Sequence, residues 1–176
     1  EQYTDTVGMD CRFTAEWMKE TGLYVGEQVG GALCFQPEKP VSRGEFLTML
    51  VKVLELPQEE TTLTGFEDTA PDWLKPYLAA ALRSGMTAGL PSAETGIFGA
   101  NEAITGAEAA VMLQNAMDLS LSADAKPVDK EVPDWAASAV MVSVSVRGVM
   151  PPPVTVTVLS MVPSVPRGAN WLMVAL

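Results

Sequence analysis

The chain repeats itself, with a constant offset of 63 residues that first links Tyr3 to Phe66. Residues 3–56 and 66–119 share one template without an insertion. The matched positions are Tyr3/Phe66, Asp5/Asp68, Gly22/Gly85, Gly26/Gly89, Phe35/Phe98, Val41/Ile104, Ser42/Thr105 and Glu45/Glu108. Because a short repeat rarely buries its apolar face alone, this pattern predicts an array of similar units that pack on one another.

Each unit is predicted to begin with a helix that a glycine ends. In the first unit, residues 13–20 read FTAEWMKE and Gly22 follows them. In the second unit, Pro76 lies in the first predicted turn and Gly85 follows the last one. Proline is tolerated at a helix start, and glycine just past the last turn is a common stop. The polar, Gly-rich stretch 26–40 is predicted to be a loop.

A capping box opens the second predicted helix of each unit. Ser42 and Glu45 have the spacing at which the hydroxyl accepts the N3 amide while the carboxylate accepts the cap amide. Thr105 and Glu108 repeat this arrangement in the second unit. One predicted apolar face of the helix after Ser42 comprises Phe46, Met49, Leu50, Val53 and Leu54.

A third unit begins and ends like the others but differs in between. Residues 132–135 (VPDW) match residues 70–73 (APDW), and residues 169–176 resemble residues 110–117. The intervening residues 143–167 lack the capping box and the aromatic loop. We therefore predict three repeats, the third one degenerate, over residues 1–60, 61–122 and 123–176.

The segment 143–168 has two explanations. Read from the third base of each codon, its Pro/Val/Thr-rich stretch encodes a Gly/Asp-rich polar segment of the kind that joins helices. Met161-Val162 then gives glycine without ambiguity. The alternative is a genuine β-strand, which the alternating Thr and Val between prolines favour. We favour the first explanation, a compensated frameshift, and expect such a segment to be exposed and poorly packed.

Composition narrows the classes of function. The 176 residues are 48% hydrophobic, which is enough for a real core. The formal charge of −11 disfavours a nucleic-acid partner, because phosphate binding needs a basic face. No apolar run is long enough to predict a membrane span. Glu1 opens the chain without Met, a basic segment or an apolar segment, so we expect a mature or trimmed fragment.

Reactive side chains are scarce. Cys11 and Cys34 are the only cysteines, and their spacing fits no metal site. They could form a disulfide in an exported protein, or they are two small buried thiols, which we favour. The chain has no histidine, which removes the commonest general base and metal ligand. We therefore expect no metal, no cofactor and no enzymatic activity.

The matched positions resemble the S-layer homology domain. The second unit carries the pattern Phe66-x-Asp68…Trp73…Tyr77…Gly85-Met86-x-x-Gly89…Phe98…Ile104-Thr105-x-x-Glu108-Ala109-Ala110. The first unit adds VSRGEF at residues 41–46, which is close to the Thr-Arg-Ala-Glu signature of that family. The resemblance implies a mainly α fold, a pseudo-threefold array of three helix-loop-helix repeats around a central helical bundle.

The resemblance also implies a function. Such domains dock exported proteins non-covalently onto secondary cell-wall polysaccharides of bacteria, often polysaccharides that bear a pyruvylated sugar. The chain would then be an extracellular, monomeric, carbohydrate-binding module of a larger secreted surface protein. The alternative is a structural repeat domain that serves assembly or spacing and has lost carbohydrate binding.

The resemblance assigns ligand contacts to particular positions. The signature arginine is Arg43, and a guanidinium can hold a ligand carboxylate with two parallel hydrogen bonds. The equivalent position in the second unit is Gly106, which has no donor side chain. We therefore expect at most one groove, near Arg43 and the start of the second unit, to have all the predicted ligand contacts. The predicted ligand-binding residues are Ser42, Arg43, Trp73, Gly85, Met86 and Gly89.

Each of these positions also has a purely structural explanation. Ser42 is explained by the cap alone, and Arg43 by a solvated surface position. Trp73 at a helix entry could be a sugar platform or a packing anchor. Gly85 and Gly89 could be turn glycines whose exposed amides form a nest for an anion.

Overall fold

The computed structural model describes residues 2–58, 65–68, 70–118 and 132–139. The chain divides between residues 40 and 41 into two compact units. The predicted repeat boundaries at 60/61 and 122/123 lie outside the described residues and stay predictions. The first repeat's capping-box helix belongs to the second compact unit, because it packs on the first helix of the second repeat.

In its described residues, the first unit contains one helix and one hairpin. Helix α1 spans Arg12–Glu20, and the antiparallel strands β1 (Glu27–Val29) and β2 (Ala32–Cys34) follow it. The prediction of an irregular loop over 26–40 was therefore wrong for this hairpin. Gly30 and Gly31 link the strands with φ of 60° and 83°, the two positive values that a tight two-residue hairpin turn requires. This Gly-Gly pair was the missed sequence signal.

The second unit is helical in its described residues. Helix α2 spans Arg43–Val53, α3 spans Lys75–Arg83, the short α4 spans Pro91–Thr95 and α5 spans Gly106–Ala116. A 3₁₀ turn covers Asp134–Ala136. Helix α2 packs on α3 and on α5, and α5 packs on the 3₁₀ turn. The second helix of each repeat thus contacts the beginning of the next repeat.

The sequence repeat is also a structural repeat. Helices α1 and α3 have equivalent bounds at the 63-residue offset, and so do α2 and α5. The glycines that end α1 and α3, Gly22 and Gly85, have φ of 71° and 75°. Beyond α2 and α5, Glu55 and Asp118 share a left-handed φ of 50° and 49°. These matches confirm the predicted helices and their glycine stops.

An aspartate fixes the aromatic loop of each repeat in the same way. The carboxylate of Asp5 accepts hydrogen bonds from the backbone N–H of Phe35 at 2.9 Å and of Gln36 at 2.7 Å. The carboxylate of Asp68 accepts from Phe98 at 2.8 Å and from the next residue, Gly99, at 2.9 Å. Each aspartate therefore joins two segments about thirty residues apart.

The two repeats differ between their glycine turn and their aromatic loop. The slot filled by the hairpin in the first repeat holds α4 in the second. Pro91 begins α4, and Gly96 ends it in the left-handed conformation with φ of 72°. Proline at a helix start and a left-handed glycine at its end both favour this short helix.

Both capping boxes form as predicted. The Ser42 hydroxyl accepts the Glu45 N–H at 3.2 Å, and the Glu45 carboxylate accepts the Ser42 N–H at 2.8 Å. Thr105 and Glu108 form the same pair of hydrogen bonds, at 3.2 and 2.9 Å. Each box supplies an acceptor to two backbone N–H groups that the helix start would otherwise leave without an intrahelical bond.

Helix α2 buries more side chains than those of its single predicted apolar face. Phe46 and Leu50 are buried as expected, but Leu47 and Val51 are fully buried as well. The reason is that α2 packs against both α3 and α5, so two sides of the helix face apolar neighbours. The single predicted face described only one of these contacts.

The described start of the third repeat copies the second. The Leu74 N–H donates to the Pro71 carbonyl at 2.9 Å, and the Ala136 N–H donates to the Pro133 carbonyl at 2.9 Å. Leu74 and Ala136 are both fully buried in the core of the second unit. The second and third units therefore share this local turn, and the third repeat as a whole stays a prediction. The frameshift hypothesis for 143–168 and the match at 169–176 lie outside the described residues.

Cys11 and Cys34 are free thiols, as favoured from the sequence, but they are half-buried rather than buried. Cys34 Sγ lies 3.6 Å from the hydroxyl of Thr4. Desolvation by burial raises the pKa of the Cys11 thiol, which disfavours the thiolate.

Candidate functional site

The start of α2 is held against a loop of the second repeat. The backbone N–H of Arg43 donates to the Glu102 carbonyl at 2.8 Å, and that of Ile104 donates to the Val41 carbonyl at 3.0 Å. These bonds flank an isolated antiparallel bridge. The segment that opens the first capping box therefore runs beside the segment that leads into the second one.

The Arg43 side chain extends into this contact. Its Nη1 donates to the carbonyls of Phe98 and Gly99, the latter at 3.0 Å, and its Nη2 donates to Glu108 Oε1 at 2.9 Å. The guanidinium carbon lies 6.0 Å from the centroid of the Phe98 ring. Only 11% of the side chain is exposed. Arg43 thus links the first repeat to the aromatic loop and the capping box of the second.

Glu108 serves both the capping box and this arginine. Its Oε2 accepts the Thr105 N–H and the Thr105 hydroxyl, each at 2.9 Å, while its Oε1 accepts Arg43. Both charged side chains are about nine-tenths buried. A buried charge pair of this kind is tolerated only when its remaining polar atoms are well bonded, and loss of one partner is costly.

A second carboxylate approaches Arg43 from the exposed side. Glu102 Oε2 lies 3.6 Å from Arg43 Nη2, and the Glu102 side chain is 73% exposed. Gly99 makes this approach possible, because a Cβ there would lie 2.6 Å from Arg43 Nη1 and 3.1 Å from Glu102 Cδ. Gly99 also has a φ of +64°, which favours glycine.

This geometry limits what Arg43 can offer a ligand. Both hydrogens of Nη1 have carbonyl acceptors, and Nε is buried with no hydrogen-bond partner. One Nη2 hydrogen is taken by Glu108. Of the five guanidinium donors, one N–H on Nη2 is left facing Glu102. The expected two-bond grip on a carboxylate therefore does not fit this conformation, and any ligand contact by Arg43 is a single bond.

Trp73 lies on the surface at the entry to α3. Its side chain is 52% exposed, while the neighbouring Leu74 is fully buried and anchors the turn. Lys75 bonds Asp72 at 2.6 Å, and this bond holds the pKa of the Asp72 carboxyl below its usual value. The matching Trp135 of the third repeat is 38% exposed. Trp73 therefore exposes about half of its surface at the entry to α3.

The predicted contacts Gly85, Met86 and Gly89 form one turn after α3. Gly85 and Gly89 both have φ of +75° and open space where a Cβ would be. The Met86 side chain is fully buried in the core, and its backbone N–H donates to the Ala81 carbonyl at 2.9 Å. Asn115 Nδ2 donates to the carbonyls of Met86 at 3.1 Å and Ala88 at 2.8 Å.

The predicted site residues fall into separate places. Ser42 and Arg43 lie together with Glu108 near the start of α5, whereas Asn115 holds the glycine turn near its end. At 1.5 Å per residue, these ends are about 10 Å apart along the helix axis. Reasoning from the sequence missed Asn115 and the second role of Glu108, because neither contact follows a local spacing rule.

Two further observations bound the chemistry of the described residues. Across residues 2–58, 65–68, 70–118 and 132–139, no group of three or more His, Cys, Asp or Glu side chains is arranged to hold a metal ion. In the same parts of the chain, none of the helices has both the length and the apolar character needed to cross a membrane.

Comparison with known proteins finds distant similarity to S-layer proteins. The chain is 27% identical over 114 residues to an S-layer protein of Bacillus thuringiensis subsp. finitimus. It is also 27% identical over 114 residues to the S-layer protein sap of Bacillus anthracis. Each match covers 65% of this chain but only 13% of the relative's length. No family model matches the chain, so its place among S-layer homology domains stays a prediction.

Proposed function

We propose that this chain is a non-catalytic module of a bacterial surface protein, located at the cell wall, that binds a secondary cell-wall polysaccharide. The observation that carries the proposal is the repeat itself. The same unit is built twice with equivalent helices, capping boxes and aspartate-held loops, in a chain similar to S-layer proteins. The expected partner is an anionic, pyruvylated polymer.

The exposed groups supply a plausible chemistry for sugar binding. The exposed part of Trp73 suits stacking against the apolar C–H face of a pyranose ring. Open space at Gly85 and Gly89 lets a ligand approach this turn, which Asn115 holds in place. The N–H groups of Gly85, Met86 and Ala88 already donate to backbone carbonyls, so only the other backbone groups of the turn are offered to a ligand. Binding in this proposal rests on stacking and backbone contacts, with Arg43 contributing at most one hydrogen bond.

We propose the pseudo-threefold helical arrangement as the fold that presents these groups. Two successive packing contacts support this arrangement. Helix α2 packs on α3, and in the same way α5 packs on the 3₁₀ turn at Asp134–Ala136. The same contact repeated between successive units would generate such an array. Helices occupy about half of the described residues of the second unit, in keeping with a mainly α fold.

A second candidate function has its own supporting observation. The Arg43 guanidinium already has two carbonyls and a buried carboxylate as acceptors, so its main partners are protein groups. In that respect the signature arginine acts as a link between repeats. A module with this link but no polysaccharide affinity would serve assembly or spacing within a surface protein.

A cell-wall sedimentation assay separates the two candidates. The full chain is mixed with purified bacterial walls that carry their secondary polymer, and with walls from which the polymer was chemically removed. Polysaccharide binding predicts retention on the first and not on the second. Equal retention on both, or on neither, would favour the structural candidate.

Substitution then locates the contact. Trp73→Ala is expected to weaken wall binding by about tenfold, a typical effect of losing one aromatic contact. Phe13→Ala is the matched control, because Phe13 is 82% exposed on α1 and lies outside the proposed contact. Both variants must unfold at the same thermal midpoint as the parent chain, so that a change in binding is not caused by a loss of stability. Equal weakening by the two would indicate non-specific apolar adsorption.

A further inference from the structure

We infer that Glu102 occupies the position at Arg43 that a carboxylate ligand would need, and therefore sets the affinity of this site for such ligands. This inference rests on the proposed function, in which the wall polymer is anionic. It assigns a specificity-determining role to a residue that belongs to neither capping box and that the repeat template does not include.

Few hydrogen-bond donors of the Arg43 guanidinium remain for a ligand. Two N–H groups of the guanidinium have no buried acceptor. The one on Nε is itself buried, so the second N–H on Nη2 is the donor left for a ligand. The carboxylate that faces it is Glu102, at 3.6 Å. That separation is within ion-pair range but longer than a normal hydrogen bond. Glu102 therefore lies near this N–H without forming a hydrogen bond with it. A ligand carboxylate would bind at this same donor.

The two carboxylates beside Arg43 differ in how easily a ligand could displace them. Glu108 is buried and also accepts two hydrogen bonds from Thr105, so displacing it would break the capping box. Glu102 is 73% exposed, and exposed ion pairs contribute little because water solvates the released charges. Glu102 is therefore the group that yields to an incoming anion.

The negative charge beside Arg43 disfavours the addition of a further anion. Arg43 already faces two carboxylates, and a third anion at the same guanidinium would be repelled by both. A ligand must therefore exchange with Glu102 rather than add to it. The position equivalent to Glu102 in the first repeat is Lys39, so this negative charge is particular to the second repeat.

Neutralising Glu102 should therefore strengthen carboxylate binding. The test titrates the ¹⁵N-labelled full chain with sodium pyruvate and follows the guanidinium signals of Arg43 by NMR. For Glu102→Gln, we expect a dissociation constant about three- to tenfold lower than for the parent chain. Glu94→Gln is the matched control, because Glu94 is exposed on α4 and its substitution changes the net charge equally.

Two results would overturn the inference. One is an Arg43 response to pyruvate that is identical in Glu102→Gln and in the parent. The other is an equal gain in Glu94→Gln, which would assign the effect to net charge alone. Because Glu102 is exposed, both variants should fold, and circular dichroism verifies that.

A parallel wall-binding assay keeps the two proposals apart. If the titration separates Glu102→Gln from its control while no variant sediments with walls, the inference stands and the polysaccharide function fails. If the parent chain binds walls but the titrations coincide, the function stands and the role of Glu102 fails. Tighter wall binding by Glu102→Gln alone supports both.

Discussion

At the scale of single residues, the Arg43 side chain makes three hydrogen bonds to distant parts of the chain. Its guanidinium reaches carbonyls 55 and 56 positions away and a carboxylate 65 positions away. These partners turn the residue that the family resemblance assigns to ligand binding into a connection between repeats. Its energetic role is therefore testable without any ligand.

Removing one member of the Arg43–Glu108 pair should be costly. Arg43→Met leaves the Glu108 carboxylate buried without its cation, and we expect a loss of about 3–5 kcal/mol in the free energy of unfolding. The double variant Arg43→Met/Glu108→Gln should lose less than the sum of the two single variants. Urea unfolding followed by circular dichroism measures all four proteins. Strictly additive losses would show that the two side chains do not interact.

Gly99 should be less replaceable than Gly85, although both have positive φ. An alanine at either position incurs left-handed backbone strain of about 1–2 kcal/mol. At Gly99 the new Cβ would also lie 2.6 Å from Arg43 Nη1, whereas Gly85 has open space. Gly99→Ala is therefore expected to lower the unfolding midpoint in urea further than Gly85→Ala. The reverse order would mean that Arg43 moves aside without loss.

At the scale of elements, the two capping boxes are the same local device in different surroundings. Glu45 accepts the Ser42 N–H, and Glu108 accepts the Thr105 N–H. Glu108 additionally accepts Arg43. The local geometry is repeated, whereas the long-range partner distinguishes the second box.

This difference predicts unequal effects of one substitution. Glu45→Ala removes one side of a capping box and should cost about 1 kcal/mol. Glu108→Ala removes the same contact and also leaves Arg43 without its buried carboxylate, so its cost should be about 3 kcal/mol or more. Chemical denaturation of both variants checks this, with Ser42→Ala as a control for the loss of a cap alone. Equal losses in the free energy of unfolding for the two glutamate variants would show that Glu108 does not stabilise the contact between repeats.

Local elements could be predicted from the sequence, because their causes are local. The glycine stops at Gly22 and Gly85 and both capping boxes depend on residues within one or two helical turns. The hairpin also had a local signal, the pair Gly30-Gly31, which was not used. The partners of Arg43 had no such signal, because backbone carbonyls more than fifty residues away carry no side-chain signature. The burial of Met86 likewise follows from tertiary packing.

At the scale of the whole molecule, the two compact units have unequal cores. In the described residues, the first unit buries three apolar side chains together: Tyr3, Ala15 and Phe35. Within the described part of the second unit, the core cluster contains twenty buried residues. The first unit also exposes several large apolar side chains, namely Val7, Met9, Phe13, Trp17, Val25 and Val29. A core this small contributes little stability by itself.

The first unit is therefore expected to open at lower free energy than the second. Native-state hydrogen exchange should show faster exchange for the amides of α1 than for the equivalent amides of α3. The comparison is matched, because the two helices have the same length and equivalent positions in the repeat. Identical opening free energies for α1 and α3 would show that both units unfold as one cooperative structure.

The central proposal, that this repeat-built chain binds a cell-wall polymer, is tested most directly by calorimetric titration with purified polymer. The full chain is titrated with the pyruvylated secondary polysaccharide and with the same material after mild acid removes the pyruvyl groups. We expect saturable binding to the first and markedly weaker binding to the second. Absence of binding to both polymers, by a chain that is folded by circular dichroism, would contradict the proposal.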